Sequence, residues 1–111
     1  MNQTRLQRRF EKEIKKIRNE LIEVYKPEKI ILFGSCAYGK VRADSDIDML
    51  IIKKSKKTRR ERLEEVLNLV DYSLDFEPHV LTPQELDKEL ELGEFFIREA
   101  VRKGKVLYAK S

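Results

Sequence analysis

Apolar residues fall along this chain in two rhythms. Over residues 3–25, Leu6, Phe10, Ile14, Ile17, Leu21, Ile22 and Tyr25 are spaced by threes and fours among charges, the pattern of an amphipathic helix. Pro27 stops it, because the residue before a proline avoids the helical region. Residues 28–33 (EKIILF) read as a short strand ending at Gly34, and 47–52 (IDMLII) as a second, nearly all apolar and so expected inside the sheet. Residues 58–72 predict a helix with Leu63, Val66, Leu67 and Val70 inward. Residues 73–81 (SLDFEPHVL) predict a third strand, with Pro78 marking an edge or a bulge. Thr82 before Pro83 is an N-cap followed by proline at the first helical position, opening a helix to about Leu92. Residues 94–104 (EFFIREAVRKG) form a last helix closed by Gly104, its FFI at 95–97 mostly core with one residue left for a partner, and 105–109 (KVLYA) add a final short strand.

No repeat, linker or low-complexity segment interrupts this order. The 111 residues suffice for one small core and not for two, so the reading is a single α/β domain over 1–111. Charged residues are 40% and hydrophobic ones 41%, and the hydrophobics are periodic, which excludes a disordered tail. A net charge of +4 is compatible with a polyanionic partner without requiring one. The single cysteine, Cys36, excludes an internal disulfide and suits a reducing compartment. No apolar run approaches a membrane span and the charged N-terminus lacks a signal-peptide core, so the cytoplasm is the expected location.

Asp46 and Asp48 open the strand at 47–52. Aspartate is depleted in strands, and carboxylates at i and i+2 share one face, where they repel unless something positive lies between them. If the first two strands are antiparallel, Gly34 and Ser35 at the exit of one lie beside these aspartates at the start of the other. The helix at 58–72 returns the chain, so the third strand runs parallel to the second and brings Asp75, Glu77 and His79 onto one polar face. Converging carboxylates suit Mg²⁺, and two such ions can clamp an in-line phosphoryl displacement. Gly34 lets backbone N–H groups approach a phosphate, and Ser35 adds a hydroxyl at the start of an expected short helix, itself an anion site. The residues point to a nucleotide site.

GSCAYG at 34–39 followed by DSDIDMLII at 44–52 resembles the minimal nucleotidyltransferase domains of the DNA polymerase β superfamily, whose signature is a Gly-Ser turn and then Asp-x-Asp about ten residues on. The likeness extends through the third strand, LTPQEL and the closing GKVLY. It implies a nucleotidyltransferase-like fold, a small mixed sheet with helices on one face and the active site on the other. It also implies transfer of a nucleoside monophosphate, AMP from ATP, to an acceptor with release of pyrophosphate. Carried onto this sequence, Gly34 and Ser35 bind nucleotide, and Asp46, Asp48 and Glu77 are the catalytic acids holding two Mg²⁺ ions, with Asp75 the alternative third ligand. Three positions depart from the family: Cys36 and Tyr38 stand where an aromatic residue and an arginine are common, and Glu77 stands where aspartate is commoner. Larger members carry an acceptor-binding domain, so here the acceptor is expected on another chain. For small members the resemblance implies a helical HEPN partner, this chain being the antitoxin and a protein adenylyltransferase. The competing reading is a catalytically silent module that neutralises a partner by contact; homo-oligomerisation stays open.

Simpler roles compete at several positions. Cys36 is expected to be a small packing residue and His79 a plain polar strand residue. The run KKSKKTRRER at 53–62, seven basic residues and one acid, invites a nucleic-acid reading, but Lys54 lies about 20 Å along the strand from Asp48. A solvated loop and helix start is the favoured account, and RNA binding ranks third.

Overall fold

Strands that are apolar on both faces need cover on both faces, and this requirement organises the chain. A computed structural model describes residues 2–111. Helix α1 (Asn2–Glu20) runs into one π-helical turn (Leu21–Tyr25), followed by β1 (Lys29–Phe33), β2 (Ile47–Ile52), α2 (Arg59–Leu69), β3 (Phe76–Leu81), α3 (Pro83–Glu91), α4 (Phe95–Lys103) and β4 (Lys105–Ala109). The sheet order is β3-β2-β1-β4. β1 is antiparallel to β2 and to β4, and β2 is parallel to β3. The mixed α/β architecture, the interior place of β2 and the edge place of the Pro78 strand all agree with the sequence pattern.

The expectation that helices cover one face only is corrected. Ile30 and Leu32 of β1 and Ile47, Met49 and Ile51 of β2 pack with Phe10, Ile14 and Ile17 of α1 and Val66 of α2. The alternate residues Ile31, Phe33, Leu50 and Ile52 are equally buried, against Ile97 and Ala100 of α4, with Leu86 and Leu90 of α3 beside them. Leaving that second set bare would expose four large side chains, each stabilising by about 1.5–3 kcal/mol when buried. Gly104, at the end of α4, lets the chain pass close to the sheet: a Cβ there would overlap the Ile31 side chain and the Leu32 carbonyl.

Other boundaries shift for local reasons. The first helix does not run regularly to residue 25; it widens into the π turn and stops at Lys26, left-handed at φ 55°, whose N–H donates to the Leu21 carbonyl. The helix expected over 58–72 is Arg59–Leu69, with Thr58 and Glu61 forming a capping box, and Thr82 and Glu85 do the same for α3. β3 begins at Phe76 rather than at residue 73. The segment before it is tied elsewhere: the buried Glu13 carboxylate of α1 accepts from the Ser73 and Leu74 N–H groups.

The basic run is mostly exposed, with one exception. Arg62 is 1% exposed. Its guanidinium donates to the carbonyls of Val80 and Lys57 and to the Glu85 carboxylate, joining α2, β3 and α3. Arg59 pairs with Glu89 of α3 at 2.8 Å, so two arginines wrap the β3 edge, one way to guard an edge strand. The FFI expectation is also corrected: Ile97 is core, but Phe95 is 69% and Phe96 39% exposed. Three successive residues span most of a helical turn and cannot share one buried side. Among the described residues no helix is long and apolar enough to cross a membrane.

Candidate active site

β2 starts with its apolar ladder interrupted once. Asp48 pairs with Phe33 of β1 on one side and with Glu77 of β3 on the other. It shares a face with Leu50 and Ile52, which the C-terminal helices cover, but lies toward the open end of that face and is half-buried. One ligand atom each from Asp48, Glu77 and His79 lies within 4.8 Å of the others. Glu77 is exposed and His79 half-buried.

Gly34 has a reason beyond phosphate access. Its φ is +76°, and a Cβ would overlap the Asp48 Oδ2 and stand 3.2 Å from Cγ. Aspartate and glycine are therefore fitted to each other across the β1–β2 pair. The short helix expected after Ser35 does not form. Residues 35–39 make successive turns instead, with Ala37 N–H donating to Gly34 O at 3.0 Å, and Tyr38 and Lys40 N–H to Ser35 O at 3.2 and 3.1 Å. Ser35 reaches the Ser45 hydroxyl at 3.1 Å, and the Cys36 thiol donates to the Asp46 carbonyl at 3.3 Å. These two contacts staple the turn to the start of β2, so Gly34 and Ser35 lie beside the acids.

Asp46 is exposed and precedes β2. Its carboxylate is outside the 4.8 Å group, though near enough to act on Asp48 electrostatically. Asp75 is not on the strand face: it precedes β3, is exposed, and its carbonyl accepts from Ile47 N–H at 2.7 Å. The structure thus brings Glu77, and not Asp75, to Asp48. Burial, then the charges of Asp46 and Glu77, push Asp48 up to about 6. Burial, with Asp48 and Asp46 adding to it, pushes the Cys36 thiol up to about 11, which suits a packing residue and not a nucleophile.

His79 is where the sequence reading falls short. It is no plain surface strand residue: its ring lies 5.7 Å from that of Phe33 and 4.8 Å from that of Phe96, and its Nε2 is buried without a hydrogen-bond partner among the described residues. Burial pushes it below the ordinary histidine range despite Glu77, keeping the ring neutral. The signal was present, since the alternation that places Glu77 on this face places His79 there too. Three observations fit a divalent ion: clustered donors, a buried orphan ring nitrogen, and an Asp48 carboxyl whose affinity for protons is raised by burial and by the neighbouring acids. A groove of about 590 Å³ lies elsewhere, lined by Arg8, Lys12, Lys15, Arg18 and Lys105 but by none of these acids.

Comparison with known proteins bears on the fold and the family. A candidate nucleotidyltransferase from Sulfolobus solfataricus, solved at 1.40 Å, is similar in fold with a TM-score of 0.57 and 19% identity, covering 97% of this chain and 84% of that one. A search of curated proteins gives no significant match. The sequence family described as polymerase beta, nucleotidyltransferase matches residues 15–111, and the chain belongs to that family.

Proposed function

We propose that this chain is a metal-dependent enzyme that transfers AMP from ATP to a partner protein, the antitoxin half of a HEPN–nucleotidyltransferase pair. The observation that carries the catalytic part is the convergence of Asp48 and Glu77 over Gly34, with the Ser35 turn stapled alongside. Asp46, Asp48 and Glu77 would hold the divalent ions, which when bound neutralise phosphate charge and polarise the reacting phosphoryl group. Gly34 and Ser35 border the triphosphate. The acceptor hydroxyl oxygen forms a bond to the α-phosphorus as the bond to the bridging oxygen breaks and pyrophosphate leaves. Glu77, the exposed acid, takes the hydroxyl proton.

A protein acceptor is supported by exposed apolar side chains at and just before the start of α4, one of which touches this site. Leu92, Phe95 and Phe96 are 73%, 69% and 39% exposed, and Phe96 is the residue whose ring touches His79. Large exposed apolar side chains beside a site suit a protein partner better than a phosphate backbone. The test is to incubate labelled ATP with the chain alone and then with a co-purified helical partner. Label should appear on the partner only in the second case. Stable binding without label favours the contact-only antitoxin, and label on RNA refutes a protein acceptor.

A further inference from the structure

This inference rests on the reading that Asp48 and Glu77 hold a divalent ion, and concerns a third side chain at the same place. We propose that His79 is a nitrogen ligand to that ion, so that the site favours a transition metal that accepts imidazole beside carboxylate, such as Mn²⁺, over Mg²⁺. A ring nitrogen of His79 belongs to the same 4.8 Å cluster as the Asp48 and Glu77 oxygens. The imidazole is not consumed by the fold, because Nε2 has no hydrogen-bond partner among the described residues. Nor is it free to swing, since it lies against Phe33 and Phe96, whose rings are themselves 5.0 Å apart at 88°. A phenylalanine would fill that aromatic slot without burying a polar nitrogen, so packing alone gives no reason for histidine here.

The donor set then decides the metal. Mg²⁺ takes oxygen ligands and demands near-octahedral geometry. Imidazole suits first-row transition ions, and Mn²⁺, which shares the carboxylate chemistry of Mg²⁺, is the member of that series nearest to it. Two carboxylates and one imidazole, held by a parallel strand pair and pinned by two rings, form a mixed set that an oxygen-only ion uses incompletely.

The test exploits the fact that His79 is the only histidine in the chain, so ¹⁵N-histidine labelling marks one residue. Mn²⁺ is bound to the full chain and its pulsed electron paramagnetic resonance spectrum recorded with unlabelled and labelled protein. The nitrogen modulation should change on labelling. His79→Phe, which keeps a ring between Phe33 and Phe96, should weaken Mn²⁺ at least about tenfold, the scale on which metal-site partners act, and weaken Mg²⁺ much less. Mn²⁺ binding that is lost in Asp48→Asn but shows no histidine coupling overturns this inference and leaves the metal-site reading standing. An unchanged Mn²⁺ affinity in a folded His79→Phe does the same. No binding of Mn²⁺ or Mg²⁺ by the wild type, with or without ATP, removes the metal site and the inference together.

Discussion

Replacing Asp48 by Asn should stabilise the metal-free protein while destroying its metal site. Burial, followed by the charges of Asp46 and Glu77, raises the Asp48 carboxyl from 3.8 to about 6. A raised acid is one the folded state prefers protonated. Between the two values the native protein binds more protons than the unfolded chain, so stability falls as pH rises through this window and stays lower above it. The full shift corresponds to about 3 kcal/mol. The Coulomb scale is similar, since two charges within 4.8 Å of each other repel by at least about 3.5 kcal/mol at an effective dielectric constant near 20. Asp48 is only half-buried and Glu77 is exposed, so screening reduces the gain to about 1–2 kcal/mol. Urea is the suitable denaturant because it leaves electrostatics intact. With a slope of about 1.5 kcal/mol/M, the Asp48→Asn midpoint should rise by roughly 0.7–1.3 M at pH 7.5 in EDTA. The gain should largely vanish near pH 3.5, below both the unfolded and the folded value of Asp48. Saturating divalent metal should then stabilise wild type and not the variant. A variant that is less stable at pH 7.5 without metal, or equally stabilised at both pH values, would refute the reasoning.

Other outcomes follow from single residues. Gly34→Ala, forced to φ +76° with its Cβ on the Asp48 carboxylate, should cost about 1–3 kcal/mol and weaken metal binding by titration calorimetry; wild-type affinity would show that the carboxylate has room to move. Arg62→Met keeps the buried stem but loses donors to Val80, Lys57 and Glu85, and should lower the urea-derived stability by about 2–3 kcal/mol; an unchanged midpoint would mean the bridge is dispensable. Glu77→Gln should cut AMP transfer by about 10²–10⁴-fold, whereas Asp75→Asn should leave it near wild type; the opposite ranking would place the third acid at Asp75. The Cys36 thiol, pushed up to about 11 from 9.0, should alkylate at pH 8 about 100-fold more slowly than in the urea-unfolded chain, and rates within a few-fold of each other would contradict that burial.

The strands, their directions and the pair Gly34–Asp48 were legible because short apolar runs bounded by glycine and aspartate leave few pairings. Thr82-Pro83 before Glu85 marked its helix start through a local bond pattern that needs no tertiary context. What stayed hidden depended on cover. Ile31, Phe33, Leu50 and Ile52 announce a second buried face, but assigning it to α3 and α4 requires knowing where the chain goes after β3. Arg62 sat inside a run of cations, and charge alone cannot tell which one turns inward to cap carbonyls. Asp75 read as a strand residue by alternation, while the Glu13 carboxylate, far away in sequence, ties the preceding Ser73 and Leu74 amides and delays the strand to Phe76.

That second buried face also explains the chemistry of the first turn of β2. Had helices covered only one side, Asp48 would face open water and its affinity for protons would stay near that of a free carboxyl. Instead Leu50 and Ile52, on the same face, are sealed by α3 and α4, and Phe96 of α4 reaches His79 at the border of the seal. The acids therefore lie where packing gives way to solvent. Further in, ionised carboxylates would be too costly to keep; further out, screening would remove the mutual repulsion that a cation relieves. The position of α4 sets both limits, with Phe96 partly exposed at the border itself. The helix that completes the core therefore also fixes how much water reaches the acids.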